Sequence, residues 1–271
     1  MIKEFEGKNS RKNLKESFQN AKPFKHVVID NFLTTEHAEE LHQKFPSIKS
    51  EKWIIDYDDN KTPILYAKDN PFEGMLISIS DKKKFPTVYK DLFDYFDTQE
   101  FIEYIQEITG ITGLMPDTTG RHAGIRGMIN ESFQHIHSDA VLHPETGLEK
   151  RLTMILYLNP VWKSSYGGEL ELWDDDISKC VKKITPSFNR LVIFECTKTS
   201  YHGVPNKLNL DEGGIRKSII LSYMCAKGKD NIGRKRAKFV STPENKFTEE
   251  MKILSDKRSK VNTNAKYRFK K

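Results

Sequence analysis

The sequence predicts a mainly β protein with flanking helices: a double-stranded β-helix, or jelly roll, buttressed by N-terminal helices. Two observations predict this fold class. Between about residues 124 and 225, short β-type runs alternate with turn residues and no helical pattern intervenes. Before them, apolar residues recur at helical spacing in two consecutive segments, which need a surface to pack against.

The first third of the chain shows helical patterns and one strand pattern. Pro46 ends one of the helices, and Gly110 fits the C-cap of the last one. Residues 51–81 show no clean period. We expect a polar helix, a strand, and three further helices, in this order: residues 10–21, 24–30, 35–45, 86–96 and 98–109.

Eight β-type runs make up the predicted jelly roll. They lie at residues 124–129, 133–139, 151–159, 168–173, 180–184, 190–196, 202–205 and 215–224. After Met224 the apolar periodicity almost disappears, apart from a weak helical stretch near residues 247–254. The predicted parts are an N-terminal polar helix, a central domain with its jelly-roll core at about 124–225, and a basic C-terminal extension: residues 1–22, 23–228 and 229–271.

The charge of the 271-residue chain is distributed unevenly. Residues 226–271 hold 15 Lys and Arg against 5 Asp and Glu, a net charge of +10, so residues 1–225 carry −4 of the total of +6. This distribution disfavours a uniformly basic body that binds nucleic acid.

Three further features bear on the compartment. No stretch approaches the roughly 18 apolar residues of a membrane span, and the start of the chain lacks the apolar core of a signal peptide. Cys180, Cys196 and Cys225 form neither a Cys-x-x-Cys pair nor a disulfide framework. We therefore expect a cytoplasmic protein with reduced thiols that does not enter a membrane.

Three His-x-acid pairs are candidates for metal binding. On a strand, residues i and i+2 share a face and can chelate one ion. The pair at 37 and 39 lies in a predicted helix, where residues two apart diverge, and the pair at 143 and 145 lies in a turn. His137 and Asp139 end an alternating apolar run and are the best candidates.

A third ligand must come from another strand. His202 is the histidine of the downstream strands, and it follows a strongly apolar run. Two histidines and one carboxylate form a facial triad, which leaves open positions on Fe(II) for a bidentate cosubstrate and O2. His135 shares a strand face with His137, and we interpret it as structural or supporting, with ligation as the alternative.

Strand alternation points to an anion pocket. Arg216 and Ser218 share one face of their strand, and Thr153 and Tyr157 share one face of theirs. A guanidinium and hydroxyls that point into a barrel are costly unless they meet an anion. The alternative is that Arg216 lies on an edge strand and faces water.

The ordered motifs resemble the Fe(II)/2-oxoglutarate dioxygenases of the prolyl 4-hydroxylase-like superfamily over about residues 23–225. The motifs are His137-Ser138-Asp139, Tyr157-Leu158-Asn159-Pro160, Gly167-Gly168-Glu169-Leu170, Asn189-Arg190-Leu191, His202 and Arg216-Lys217-Ser218. The resemblance implies that His137, Asp139 and His202 bind Fe(II). It implies that Arg216 and Tyr157, with Ser218 and Thr153 as weaker matches, hold the distal carboxylate of 2-oxoglutarate.

The implied activity is hydroxylation of an unactivated C–H bond with O2, releasing succinate and CO2, and ascorbate is expected to support it. The expected substrate is a prolyl residue in a peptide or protein, or a small metabolite. One alternative is a non-catalytic, lectin- or cupin-like jelly roll that binds a metal or ligand. A lesser one is a nucleic-acid dealkylase, which is disfavoured because Ser222 stands where nucleobase-repair members carry a second arginine.

Overall fold

The structure is a computed structural model, and it describes residues 2, 10–50, 56–57, 63–64, 71–143, 145–226, 233–234 and 236–260. None of the helices within these ranges is long and apolar enough to cross a membrane.

Four helices precede the jelly roll, and their ends follow the sequence signals. Ser10 caps the first helix through its side chain, and Thr98 caps the fourth. Gly110 adopts φ +70° as the left-handed C-cap of the fourth helix, as predicted. The four helices are α1 (Arg11–Asn20), α2 (Thr35–Gln43), α3 (Thr87–Phe96) and α4 (Gln99–Thr109).

Thirteen strands are described, most of them antiparallel partners in one curled sheet. They are β1 (His26–Ile29), β2 (Asp56–Tyr57), β3 (Pro63–Ile64), β4 (Glu73–Ile79), β5 (Met115–Pro116), β6 (Gly124–Ser138), β7 (Glu149–Tyr157), β8 (Leu170–Trp173), β9 (Cys180–Ile184), β10 (Arg190–Glu195), β11 (His202–Val204), β12 (Ile215–Cys225) and β13 (Lys238–Phe239). The mainly β jelly roll with N-terminal helices is confirmed.

The strand order is β1-β10-β7-β12-β6-β11-β8-β9, while β2 and β3 pair with each other. Two separate strands were expected at 124–129 and 133–139, and that expectation was wrong. They form the single strand β6, which changes direction at Glu131, where φ is +64°. Its first half pairs with β12 and its second half with β11.

Each strand of the central sheet sends alternate side chains to two cores. On β7, Leu152, Met154 and Leu156 pack against the helices in the larger core. The other face contributes Ile155 and Tyr157 to a smaller core inside the curl. The helices thus cover one face of the sheet and leave the concave face for a site.

β4 was not predicted, because residues 51–81 carry no clean period. It pairs with β6 along the edge opposite β12 and β11. Next to the start of β4, β13 continues the pairing along β6, with Phe239 opposite His137.

Residues 233–234 and 236–260, hereafter the C-terminal segment, contain β13 and a further helix, α5 (Glu249–Lys260). A stacked ring pair, Phe72 and Phe239, and the side chain of Phe247 form a small core that joins this segment to the start of β4. The domain edges predicted at residues 22 and 228 stay predictions.

Candidate metal centre and cosubstrate pocket

His137 and His202 face each other across the β6–β11 pairing, and Asp139 follows the end of β6. The imidazole centroids of the two histidines are 4.5 Å apart. Nε2 of His137 lies 3.6 Å from Oδ1 of Asp139, and Nε2 of His202 lies 3.9 Å from Oδ2. One ligand atom from each residue lies within 4.8 Å of the others.

Hydrogen bonds to the backbone fix both imidazoles. Nδ1 of His137 donates to the carbonyl oxygen of His135 at 2.9 Å, and Nδ1 of His202 donates to that of Ser200 at 2.9 Å. Each Nε2 therefore keeps its lone pair for a metal ion. Burial lowers the pKa of His202 to about 4, so its ring is neutral at pH 7. This donor set fits Fe(II).

Asp139 is held as a carboxylate by a buried cation. Nζ of Lys150, which is only 5% exposed, donates to Oδ2 at 2.7 Å, and Oγ1 of Thr153 donates to the same oxygen at 3.2 Å. Burial alone would raise the pKa of Asp139, but the charge of Lys150 brings it well below its ordinary value. The carboxylate is thus ionised and ready to bind a cation.

Arg216 also lies on the concave face of the sheet. It is 4% exposed, and none of the ion pairs in the described part of the chain includes it. Its Nε donates to the carbonyl oxygen of Gly168 at 2.8 Å, and its Nη2 donates to the hydroxyl of Tyr157 at 3.2 Å. A buried guanidinium without a carboxylate is suited to an anionic ligand.

Gly168 makes room for this arginine. Its φ is +77°, and a Cβ at this position would lie 3.3 Å from Cδ of Arg216 and 3.1 Å from Trp162. A side chain at position 168 would therefore be strained and would crowd the guanidinium.

The other two expected pocket residues lie at different places. Ser218 is directly opposite Tyr157 in the sheet, and its Oγ donates to the carbonyl oxygen of Arg126 at 3.4 Å. Thr153 contacts Asp139 and the Sγ of Cys196 instead, so it belongs to the metal end. The cosubstrate roles of all four residues stay predictions.

His135 lies outside the cluster of ligand atoms found among the described residues. Its ring packs edge to face on Phe133 and on Phe247, with centroids 5.2 Å away in both cases. The backbone oxygen of His135 supports His137, while its side chain supports the small core.

Residues 124–223 match the family model of the 2OG-Fe(II) oxygenase superfamily. These residues are thus similar to the 2OG-Fe(II) oxygenases. The match contains His137, Asp139, His202 and Arg216, so the candidate metal ligands and the buried arginine all lie within the matched residues.

Two curated relatives match part of the chain. The chain is 40% identical over 77 residues to prolyl 3-hydroxylase OGFOD1 of Mus musculus, covering 27% of this chain and 14% of the mouse protein. It is 36% identical over 91 residues to the Xenopus laevis protein of the same name, covering 32% of this chain and 17% of that protein. The chain thus matches less than a fifth of the length of either relative.

Two solved structures share the fold. A prolyl hydroxylase of Trichoplax adhaerens, in complex with a peptide fragment of the hypoxia inducible factor oxygen degradation domain, has a TM-score of 0.54 at 19% identity, over 79% of this chain and 90% of that one. A prolyl-4-hydroxylase of Pseudomonas putida has a TM-score of 0.52 at 14% identity, over 79% and 100%.

Sequence reasoning missed two residues that support the metal centre. Lys150 precedes the alternating run of β7, and Arg234 lies in the basic extension, where no period singles it out. Nη2 of Arg234 donates to Oγ of Ser138 at 2.7 Å and to the carbonyl oxygen of Asp139 at 3.3 Å. Lys150 therefore binds the carboxylate of Asp139, and Arg234 binds its backbone oxygen.

Proposed function

We propose that this chain is an Fe(II)- and 2-oxoglutarate-dependent dioxygenase that hydroxylates a prolyl residue of a peptide or protein. The observation that carries the proposal is the convergence of His137, Asp139 and His202 in an oxygenase domain that also holds the buried Arg216. The names of the curated and structural relatives favour a prolyl substrate over a small metabolite.

His137, Asp139 and His202 would hold the metal. Fe(II), with 2-oxoglutarate and O2, supplies the oxidation of an unactivated C–H bond and yields succinate and CO2 beside the hydroxylated product. The chain's own residues position the reactants. Arg216 would pair with the distal carboxylate of 2-oxoglutarate, and the hydroxyl of Tyr157, whose pKa is raised by burial, stays protonated to donate a hydrogen bond.

The inner core keeps water away from these groups. Ile155, Val192 and Phe194 line the concave face, and the ring of Phe194 lies 4.5 Å from that of His202. An apolar surround strengthens the charge interactions within the site. We also propose a cytoplasmic location, which three free thiols support, and a supporting role for ascorbate.

Asp139→Ala tests the metal assignment. We expect it to abolish succinate release from 2-oxoglutarate in the presence of Fe(II), ascorbate and O2, because the carboxylate ligand is gone. The matched control is Asp91→Ala, which removes an exposed carboxylate from α3 and should leave the rate unchanged. Succinate is quantified by mass spectrometry, together with a search for +16 Da products on peptides, metabolites and nucleic acid.

The result separates the competing functions. Unchanged succinate release in Asp139→Ala would contradict the metal assignment, and no release by the unaltered chain would favour a jelly roll that only binds its ligand. A +16 Da product found solely on a metabolite or on nucleic acid would overturn the prolyl substrate.

A further inference from the structure

A cavity of about 350 Å³ opens beside the candidate metal centre. This volume lies at the lower end of the range for ligand pockets and holds roughly one or two side chains. Arg216 is not part of its wall, so the cavity lies apart from the expected cosubstrate pocket. Its lining residues are Glu73, Arg121, His122, Gln134, His137, Asp139, Ala140, Arg236, Ala237 and Arg258.

Three arginines from separate parts of the chain meet at this cavity. Arg121 precedes β6, Arg236 precedes β13, and Arg258 lies on α5, so two of the three come from the C-terminal segment. The side chains of Arg121 and Arg258 are 31% and 27% exposed, so their guanidinium groups reach the solvent. Part of the basic charge of the chain's end is therefore concentrated at the entrance to the metal centre.

The carboxylates at this cavity are fewer than the arginines. Apart from Asp139, Glu73 is the only carboxylate among the described residues of the wall. It accepts a hydrogen bond from Gln134 at 2.7 Å and pairs with Arg258 at 3.3 Å. Glu145 lies near the cavity and approaches Arg121 at 3.5 Å, as an exposed pair of small energetic value. The charges of Asp139 and Lys150 offset each other, so the described lining residues hold three arginines against Glu73.

His122 adds an uncharged hydrogen-bonding group to the wall. Its Nε2 is buried and has no hydrogen-bond partner within the described ranges. Burial, and then the charge of Lys150, lower the pKa of His122 to about 3, so the ring is neutral at pH 7. A buried polar atom without a partner is costly unless a ligand satisfies it.

We propose that this cavity binds a carboxylate of the substrate, so that the chain selects prolyl residues with an acidic side chain nearby. The inference rests on the proposed function and names its substrate class. A single carboxylate fits between guanidinium groups, each of which can bind it through two hydrogen bonds. Glu73 and Glu145 among the arginines would repel the continuous phosphate backbone of a nucleic acid, which favours an acidic peptide.

A binding experiment tests this preference without requiring turnover. The full chain is loaded with Zn(II) and 2-oxoglutarate, and three labelled pools of proline-containing peptides are titrated by fluorescence anisotropy. The pools carry Glu, Gln or Lys within two residues of the proline. Hydrogen bonds to a charged group contribute about 1.5–3 kcal/mol, so we expect the Glu pool to bind roughly 10- to 100-fold more tightly than the Gln pool.

Variants show whether the arginines cause the preference. Arg236→Gln, and independently Arg121→Gln, should reduce the Glu-over-Gln ratio about tenfold. Lys257→Gln is the matched control, because it removes one exposed positive charge from α5 beside Arg258 without touching the cavity. It should leave the ratio unchanged, and thermal unfolding of each variant shows that it is folded.

Four results would overturn the inference: equal binding of the Glu and Gln pools, preference for Lys, no binding of any pool, or tighter binding of a single-stranded oligonucleotide. Succinate release without a peptide is measured in parallel with Fe(II). Its presence together with equal binding or a preference for Lys means that only the carboxylate preference fails. Its presence with no peptide binding, or with tighter binding of the oligonucleotide, means that the prolyl substrate fails as well. Its absence means that the proposed function fails.

Discussion

Asp139 accepts hydrogen bonds from β7 on one side and faces a candidate metal ligand on the other. Lys150 and Thr153 of β7 reach its Oδ2, while Oδ1 faces His137. Burial alone would lower the pKa of Lys150, but the charge of Asp139 and their hydrogen bond raise it, so the pair is ionised on both sides. The lysine compensates the carboxylate until a metal ion contributes its own charge.

Lys150→Met should destabilise the metal-free chain by roughly 3 kcal/mol, because it leaves Asp139 as a buried carboxylate without its cation. The loss should be smaller when a divalent ion occupies the site, since the ion then supplies the missing positive charge. Urea unfolding in EDTA and in Zn(II) measures both free energies.

Lys150→Arg is the control for this experiment, because it keeps the charge and should retain most of the stability. Equal stability of Lys150→Met and the unaltered chain in EDTA would show that the lysine does not compensate Asp139.

The orientation of the Lys150 side chain could not be predicted from strand alternation, because the β7–β12 pairing contains a β-bulge. Simple alternation along β7 puts position 150 on the apolar face with Leu152 and Met154. Tyr223 pairs with Leu152 and Met224 with Lys150, so one step along β12 matches two steps along β7. The extra residue turns Lys150 to the face of Thr153. The closeness of His137 and Asp139 was predictable, since a His-x-Asp pair at the end of a strand needs no bulge.

The C-terminal segment supports the strand that carries the ligands. β13 pairs with His137 and Ser138, and the backbone oxygen of Arg234 accepts from the backbone N–H groups of Val141 and Leu142 at 2.7 and 2.9 Å. The guanidinium of Arg234 donates hydrogen bonds to Ser138 and Asp139. Arg234 therefore contacts the turn after β6 through its side chain and through its backbone oxygen.

Arg234→Met should weaken metal binding roughly tenfold, in line with the effect of removing groups that orient metal ligands. The carbonyl pairing remains in this variant, so the fold should persist, while the turn that carries Asp139 loses its side-chain anchor. Titration with Co(II), followed by its visible absorption, measures the affinity.

Arg234→Lys should recover part of the affinity. Lys246→Met, which removes an exposed basic side chain of the C-terminal segment, should bind as the unaltered chain does. An Arg234→Met affinity equal to that of Lys246→Met would contradict the anchoring role.

The elements that sequence reasoning missed are those that depend on backbone pairing. The segment 151–159 alternates clearly and was predicted, whereas β13 has two residues and no period. β4 lies on the edge of β6 beside a segment without a clear pattern. Short edge strands form because a neighbouring strand has unpaired N–H and C=O groups. Their own residues therefore carry no pattern that predicts them.

At the scale of the whole molecule, the central sheet separates a structural side from a chemical side. The helices, which were predictable from their apolar spacing, bury one face of the sheet, and the metal cluster lies on the other side of it. The uneven charge of the sequence follows the same division in part, since Arg234, Arg236 and Arg258 of the basic end lie at the metal centre or its cavity.

Global stability should also depend on a buried histidine of β1. His26 of β1 is 2% exposed, its Nδ1 donates to the carbonyl oxygen of Phe24 at 2.8 Å, and its Nε2 has no hydrogen-bond partner in the described part of the chain. Burial lowers the pKa of His26 below its ordinary value. The unfolded chain therefore takes up a proton near pH 6.5 that the folded chain resists.

Because the folded pKa is the lower one, the contribution of His26 to stability is full above about pH 6.5 and is lost as the pH falls toward the folded pKa. One such proton lowers the free energy of unfolding by at most about 1.4 kcal/mol per pH unit. His26→Leu should remove this part of the slope, while its apolar side chain stays beside Phe194, opposite it on β10. Urea unfolding of both chains in EDTA from pH 7.5 to pH 5 gives the two slopes, and parallel curves would show that His26 takes up its proton equally in both states.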